Sequence, residues 1–126
     1  MDINRNFPSR DWALTGLVPE RAGRSPASEP ETRIVMRYLT RGYVQVVSLH
    51  STGPLLDFDG PRSLALATRM SRASGVPVGH LSYQSSIHGS MGRFIPERYG
   101  IPIVTWELTS RVMTPQVLAG LRAALR

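Results

Sequence analysis

The chain of 126 residues has the length and composition of one globular domain, with 41% hydrophobic and 19% charged residues. No stretch approaches the roughly 18 apolar residues that span a membrane, and the absence of cysteine excludes disulfides and thiolate metal sites. All 15 basic residues are arginine, and they form no basic stripe although the formal charge is +6. We therefore expect no nucleic-acid partner. We also expect a cytoplasmic protein without a membrane partner.

The first segment places Arg5 between Asn4 and Asn6, and Phe7-Pro8 follows. A guanidinium group can clamp a carboxylate through two parallel hydrogen bonds. The asparagines can donate and accept beside it. The segment therefore predicts either a carboxylate site or an ordinary surface turn.

Residues 13–27 contain Gly and Pro without a clear period and are predicted to form a surface loop. Ser28 and Glu31 match a capping box with Ser28 as the N-cap. The helix should run to about Thr40, and Gly42 should end it. Four residues at helical spacing form its predicted buried face: Ile34, Val35, Tyr38 and Leu39.

Short apolar segments alternate with helical patterns in the rest of the chain. A buried strand is predicted over 43–49, a strand or extended loop over 55–58, and further strands over 78–82 and 101–106. Helices are predicted over 61–73, about 90–98, and from Thr114-Pro115 to the end, the last with Val117, Leu118, Leu121 and Leu125 on one face. This alternation indicates an α/β fold.

Two polar residues follow predicted strands, His50 after 43–49 and Glu107 after 101–106. Functional residues collect at the carboxyl ends of strands in α/β sheets. His50 is a metal ligand, a general base or a structural histidine. Glu107 is a general base if burial beside Trp106 and Leu108 raises its pKa, or else a salt-bridged glutamate.

The sequence lacks the local motifs of three other kinds of site: a zinc-ligand pair, a nucleophilic serine and a phosphate loop. None of His50, His80 and His88 has a histidine or glutamate three or four positions away, so no local pair of zinc ligands is encoded. His80 and His88 are predicted to be loop residues. No Gly-x-Ser-x-Gly elbow is present, and a phosphate loop is excluded because there is no lysine.

Six blocks in order resemble the C-terminal part of the zinc metallocarboxypeptidases of the carboxypeptidase A family, the bacterial murein peptide amidases above all. The blocks cover almost the whole chain: Asp2–Pro8, Ser28–Thr32, Val47–Ser51, Asp57–Pro61, Tyr83-Gln84 with Gly89–Gly92, and Ile103–Leu108. The resemblance implies part of a three-layer α/β/α fold with a mixed sheet, and zinc as cofactor.

The resemblance also implies roles for individual residues. Asn4 and Arg5 would hold the free carboxylate of the substrate, and His50 would be the third zinc ligand. Tyr83 would close over the bound substrate. Glu107 would be the general base that moves a proton from the attacking water to the leaving amine.

The family's other two zinc ligands, in a His-x-x-Glu motif, and its oxyanion arginine are absent from these 126 residues. We therefore expect a partial catalytic domain, inactive alone, whose open sheet edge would pair with a second copy or a complementing N-terminal fragment. The implied activity is hydrolysis of an amide bond in a small peptide with a free carboxylate, such as a murein peptide. The alternatives are a non-catalytic carboxylate-binding module and a deacylase similar to succinylglutamate desuccinylase.

Two further acids, Asp57 and Asp59, precede a Gly-Pro turn. Either could bind an amine of the substrate, but aspartates before such a turn are more often at the surface. The sequence therefore favours surface positions for both.

Overall fold

The structure is a computed structural model that describes residues 1–13, 22–81, 87–109 and 115–126. In chain order its elements are a 3-10 turn Ile3–Arg5, α1 Pro30–Leu39, β1 Val46–His50, β2 Leu55–Asp59, α2 Pro61–Ser74, β3 Val78–Gly79, α3 Met91–Tyr99, β4 Ile103–Glu107 and α4 Pro115–Ala124. None of these described helices is long and apolar enough to cross a membrane.

The described chain divides into two compact units. The first comprises Met1–Val44 and Ser82–Gly100, and the second comprises Gln45–Leu81 and Ile101–Arg126. The first unit contains the 3-10 turn, α1 and α3, and the second contains the whole sheet with α2 and α4.

The core of the first unit joins its N-terminal segment to α3. Phe7 is buried and stacks on Phe94 with 5.6 Å between ring centroids, and the Phe7 N–H donates to the Gly89 carbonyl at 2.9 Å. The Ser90 hydroxyl caps α3, and Gly100 ends the helix in the left-handed conformation, with φ of +66°. The predicted helix over about 90–98 is confirmed.

The predicted start of α1 is wrong. The N-cap residue is Glu29 and not Ser28, and its side chain makes no capping bond. The Ser28 hydroxyl bonds to two other side chains. It donates to Glu29 Oε1 at 2.8 Å and accepts from Asn6 Nδ2 at 3.1 Å. The loop before α1 therefore binds Asn6 instead of the helix terminus.

The predicted buried face of α1 is also wrong in part. Thr32 and Leu39 are buried, whereas Ile34 and Tyr38 are about half exposed. At about 100° per residue, Ile34 and Tyr38 are turned by about 200° and 240° from Thr32, while Leu39 is turned by only about 20°. The buried stripe of α1 therefore passes through Thr32 and Leu39.

The second unit contains a four-stranded sheet with the order β1-β4-β2-β3. β1 is parallel to β4, β2 is parallel to β3, and β2 is antiparallel to β4. α2 and α4 pack on the apolar face of this sheet through a core that includes Leu56, Leu66, Met70, Val104 and Trp106. The predicted α/β class with a mixed sheet is confirmed.

The first strand differs from its prediction. β1 begins at Val46, and Tyr43 and Val44 before it are exposed. Leu49 within it is half exposed. β1 is an edge strand of the described sheet and pairs only with β4, so its apolar residues are covered less than those of a central strand.

The contact face of α4 also differs. Leu118 and Leu125 are exposed, whereas Gly120 and Ala124 are buried. Gly120, Leu121 and Ala124 lie within about 60° of Val117 around the helix, but Leu118 and Leu125 are turned by about 80° to 100°. Val117 and Leu121 pack against the core as predicted, and Gly120 lies directly against the Trp106 ring. Thr114, the predicted cap, lies outside the described residues.

Candidate functional site

His50 and Glu107 are the last residues of two neighbouring parallel strands and are paired in register. The Leu108 N–H donates to the His50 carbonyl at 2.8 Å, which continues the ladder just beyond the ends of β1 and β4. The predicted strand-end positions of both residues are therefore confirmed. Parallel pairing brings their side chains to the same edge of the sheet.

The Glu107 carboxylate is buried and fixed in orientation. Its residue is only 2% exposed, and Oε2 accepts a hydrogen bond from the Thr52 N–H at 2.9 Å. Oε1 lies 3.9 Å from Nδ1 of the half-buried His50. This distance exceeds a hydrogen bond, so the carboxylate and the imidazole face each other without bonding directly.

The pleat of β4 separates Glu107 from the core. Trp106 packs in the core between the sheet and the helices, so Thr105 and Glu107 lie on the other face. Antiparallel pairing places Leu55 opposite Glu107 and Asp57 opposite Thr105. Asp57 is thus a diagonal neighbour of Glu107 on the same face.

Asp57 is buried, at 5% exposure, so its predicted surface position is wrong. Its Oδ1 lies 3.1 Å from Nδ1 of His80, which directly follows β3. Burial is the main cause that raises the pKa of Asp57, and the His80 contact opposes it. The signal in the sequence was the alternation of Leu56, Asp57 and Phe58, which puts Asp57 on the face away from Leu56.

The Asn4-Arg5 segment belongs to the first unit. Asp2 Oδ1 accepts from the Asn4 N–H at 2.9 Å and caps the 3-10 turn. The Arg5 guanidinium donates to the Asn4 carbonyl at 2.7 Å and lies 3.9 Å from the Asp2 carboxylate. The Asn4 side-chain oxygen accepts from the Met91 N–H at 2.8 Å, at the start of α3. Both predicted carboxylate-binding residues are thus held by one turn.

The Asn6 side chain stabilises the fold of this segment through hydrogen bonds. It is fully buried, and its Nδ2 donates to the Ala22 and Ser25 carbonyls at 2.7 and 2.9 Å. Its Oδ1 accepts from the Glu29 N–H at 3.0 Å. Asn6 thereby fixes the loop before α1 against the turn that carries Arg5.

Gly89 lets a second loop approach the same turn. Its φ of +66° favours glycine, and an added Cβ would overlap the Arg5 carbonyl oxygen and lie 2.7 Å from Trp12. Among the described residues, Trp12 Nε1 and His88 Nδ1 are buried without a hydrogen-bond partner. The backbone around Arg5 is therefore closely packed.

The structure brings some predicted site residues together. His50 and Glu107 lie together in the second unit, and Asn4 and Arg5 lie together in the first. Tyr83 lies outside the described residues. Glu107 also lines a cavity of about 260 Å³ whose other walls include Pro54, Trp106 and Val117.

The described residues do not form a complete zinc site. A catalytic zinc needs three protein ligands, and no group of three or more His, Asp or Glu side chains that could hold a metal occurs in the described part of the chain. His50 with its neighbour Glu107 supplies at most one imidazole and one carboxylate.

Comparison with known proteins agrees with the resemblance seen in the sequence. The sequence profile of the zinc carboxypeptidase family matches residues 1–60, which include both Arg5 and His50. This part of the chain is therefore similar to the zinc carboxypeptidases. No curated protein matches this sequence.

Several solved structures share the fold of this chain. Murein-tripeptide amidase MpaA from Escherichia coli O157 superposes with a TM-score of 0.75 and 23% identity over 98% of this chain and 57% of that one. Carboxypeptidase A from Helicoverpa armigera gives 0.80 and 16%, over 99% and 41%. Bovine thrombin-activatable fibrinolysis inhibitor, solved with a tick carboxypeptidase inhibitor, gives 0.74 and 20%, over 99% and 54%.

These similarities establish a carboxypeptidase-like fold for this chain. Sequence identities of 16% to 23% show a shared fold and not a shared activity. The chain spans between 41% and 57% of the length of these three proteins.

Proposed function

We propose that this chain supplies the general base, one metal ligand and the carboxylate-binding arginine of a carboxypeptidase- or amidase-type hydrolase. The observation that carries the proposal is the in-register pair of His50 and Glu107 at the ends of β1 and β4, with Glu107 buried. A buried carboxylate beside an imidazole at a strand end is a typical arrangement for acid–base chemistry.

Glu107 would act as the proton carrier. Its carboxylate accepts a proton from the water that attacks the amide carbonyl, and then gives that proton to the nitrogen of the leaving amine. The Thr52 N–H on Oε2 holds the carboxylate in place and leaves Oε1 on the side of His50. Removal of the carboxylate would remove this transfer without disturbing the backbone ladder.

Arg5 and Asn4 would hold the free carboxylate of a small peptide, with Tyr83 closing over it. A guanidinium group matches a carboxylate through two parallel hydrogen bonds, and in this structure the Arg5 side chain is kept near the Asn4 carbonyl by its own turn. A murein peptide is the substrate that we favour, because murein-tripeptide amidase MpaA has the same fold over nearly all of this chain.

Zinc does not fit the described residues alone, since His50 is the one ligand that they offer in the proposed site. We propose that the isolated chain does not hydrolyse peptides. Carboxylate binding at Arg5 needs no metal, so a non-catalytic binding module is the second candidate.

Calorimetric titration of the purified chain with a small peptide and with its C-terminal amide tests the carboxylate site. The free acid should bind at least about tenfold more tightly than the amide, because each charge-assisted hydrogen bond contributes about 1.5–3 kcal/mol. Arg5→Ala should abolish this preference, and Arg5→Lys should retain only part of it.

Arg10→Ala is the matched control, because Arg10 is exposed in the same segment and bonds to Glu97 through its backbone. It should leave the preference intact. Equal binding of acid and amide by the unmodified chain, or an Arg5→Ala variant that behaves like Arg10→Ala, would refute the carboxylate site.

A further inference from the structure

The outer surface of α2 and α4 in the second unit is basic. Neither helix contains an aspartate or a glutamate. The buried carboxylates of this unit, Asp57 and Glu107, lie in the sheet on the face away from the helices. Five exposed arginines lie in or just after the two helices: Arg62, Arg69, Arg72, Arg122 and Arg126.

The packing of α2 on α4 brings arginines together that are far apart in the sequence. The Arg69 guanidinium donates to the Ala123 carbonyl at 3.3 Å and to the Gln45 side-chain oxygen at 3.3 Å. Both partners are neutral, and the first places Arg69 beside the last turn of α4, which carries Arg122. Arg72 is turned by only about 60° from Arg69 around α2. We call these residues the basic face: Arg69, Arg72, Arg122 and Arg126.

Two exposed leucines accompany the basic face. Leu118 is 43% exposed and Leu125 is 84% exposed. They lie four residues before and three residues after Arg122, so all three side chains fall within about 60° of one another around α4. The Leu125 N–H donates to the Arg122 carbonyl at 3.2 Å, which continues the turn past the end of the helix. Apolar and cationic side chains therefore share one exposed stripe.

An anionic membrane surface fits this combination better than a nucleic acid. Phospholipid headgroups supply negative charge to arginines, and the boundary with the acyl chains takes up leucine side chains. Proteins that bind single-stranded nucleic acids stack the bases on aromatic side chains, and neither α2 nor α4 contains an aromatic residue. Leucines beside arginines are better suited to a lipid interface.

We propose that the basic face, together with Leu118 and Leu125, docks this protein on an anionic membrane surface. Glu107 lies on the opposite side of the sheet and would face away from the bilayer. Binding at the surface needs no spanning helix, so it is compatible with the described helices. The proposal is independent of the proposed function because it uses none of the site residues.

Sedimentation of the full chain with vesicles tests the proposal. One set of vesicles contains phosphatidylcholine alone, and the other also contains about 30% phosphatidylglycerol. We expect the chain to bind the anionic vesicles at least about tenfold more tightly, and salt to weaken this binding. Equal binding to both sets, or binding to neither, would overturn the proposal.

Arginine variants assign the binding to the basic face. Arg72→Gln combined with Arg122→Gln should weaken binding to anionic vesicles about 30-fold, which corresponds to about 2 kcal/mol at about 1 kcal/mol for each arginine. Arg24→Gln combined with Arg37→Gln is the matched control, because it removes the same charge from exposed positions of the first unit. The control should weaken binding less than about threefold. Equal losses in both pairs would contradict the assignment.

Leucine variants separate a membrane from other anionic partners. Leu118→Gln combined with Leu125→Gln should weaken vesicle binding about tenfold. Ile34→Gln combined with Val44→Gln should not, although these residues of the first unit are 52% and 78% exposed. A short DNA duplex is the competing probe. Binding to the duplex as tight as binding to the anionic vesicles, with no effect of the leucine variants, would favour a nucleic acid and overturn the proposal.

A spin-labelled lipid in the anionic vesicles gives a test on the unmodified chain. It should broaden the methyl NMR signals of Leu118 and Leu125 and leave those of Ile34 sharp, because paramagnetic broadening needs proximity to the bilayer. This measurement decides the proposal even if a variant does not fold, as judged from its thermal melt. Broadening of Ile34 to the same degree, or no broadening of the two leucines, would refute docking through this face.

Discussion

Glu107 and Asp57 are two buried carboxylates on one face of the same sheet, and each has a histidine as its neighbour. Glu107 lies 3.9 Å from His50 and receives a backbone hydrogen bond from Thr52. Asp57 is in direct contact with His80 at 3.1 Å. Buried carboxylates are costly unless paired and hydrogen-bonded, so both positions should show measurable effects on stability.

The first prediction concerns the pH dependence of stability at Asp57. Burial raises its pKa in the folded protein above the ordinary value of 3.8, so the folded state binds this proton more readily than the unfolded state. Asp57 therefore contributes stability below pH 3.8 that is lost as the pH rises through the raised pKa. A ¹³C NMR titration of its carboxyl carbon should have a midpoint above 3.8.

Denaturation supplies an independent check on Asp57. The free energy of unfolding of the unmodified chain, minus that of Asp57→Asn, should be larger at about pH 3 than at about pH 7. A midpoint below the ordinary value, or a difference that grows with pH, would show that His80 outweighs burial at this site.

The second prediction separates the charge of Glu107 from its shape. Glu107→Gln should unfold with a free energy equal to or above that of the unmodified chain, because the amide oxygen can still accept from Thr52 and no buried charge remains. Glu107→Ala should lower that free energy by about 1–3 kcal/mol, since the Thr52 N–H loses its acceptor. Urea denaturation of both variants measures the difference. Equal losses in both would mean that the charge itself stabilises the fold.

At the scale of elements, the contact between β4 and α4 depends on a glycine. A Cβ at position 120 would lie 2.7 Å from Trp106 Cζ3 and closer still to Cη2. Alanine normally favours a helix over glycine by about 1 kcal/mol, but here it would force the buried Trp106 to move. Gly120 therefore keeps the wall behind Glu107 in place.

The third prediction follows from that contact. Gly120→Ala should lower the free energy of unfolding by about 1–3 kcal/mol through overpacking. Gly53→Ala is the control, because no atom lies within 4 Å of a Cβ at position 53 and its φ is ordinary. Thermal and urea denaturation should show a loss only for Gly120→Ala. A more stable Gly120→Ala would mean that α4 does not pack on Trp106.

The fourth prediction concerns Asn6. Asn6→Ala removes four side-chain contacts around a buried position. Three of them share the two hydrogens of Nδ2, so they amount to about three full hydrogen bonds, and we expect a loss of about 3 kcal/mol at about 1 kcal/mol for each bond. Asn4→Ala removes the hydrogen bond that Asn4 Oδ1 accepts from the Met91 N–H at the start of α3, and should lose about 1 kcal/mol. Denaturation curves of the two variants test the ranking, and equal losses would contradict the structural role of Asn6.

The elements that could be predicted from the sequence are those with local signals. Gly75 and Gly100 end α2 and α3 as expected, each with positive φ, and both strand ends that carry His50 and Glu107 were found from apolar runs. Local turn chemistry and strand alternation are sufficient for such features.

The rest depended on tertiary contacts that no local pattern encodes. Ser28 matches a capping box, but its hydroxyl bonds to Asn6, a residue 22 positions away. Leu118 is apolar yet exposed, because α4 turns Gly120 toward Trp106 and Val117 and Leu121 toward the core. Asp57 was expected at the surface because the sequence does not show that β2 lies between two other strands.

At the scale of the whole molecule, the chain combines a carboxypeptidase fold with a partial set of site residues. The chain contains the proposed carboxylate-binding segment and the His50–Glu107 pair, and the family profile matches the region that contains Arg5 and His50. The described residues nevertheless provide no group of three metal-binding side chains. The central claim is therefore that this chain carries the base and the substrate-binding arginine but does not bind zinc tightly on its own.

Zinc titration of the purified chain, followed by a peptide-hydrolysis assay on the same sample, tests that claim most directly. A single imidazole ligand cannot hold zinc as three ligands do, so we predict no stoichiometric zinc binding and no hydrolysis. His50→Ala should weaken whatever zinc binding remains. Tight binding of one zinc per chain together with hydrolysis of a small peptide would contradict the account.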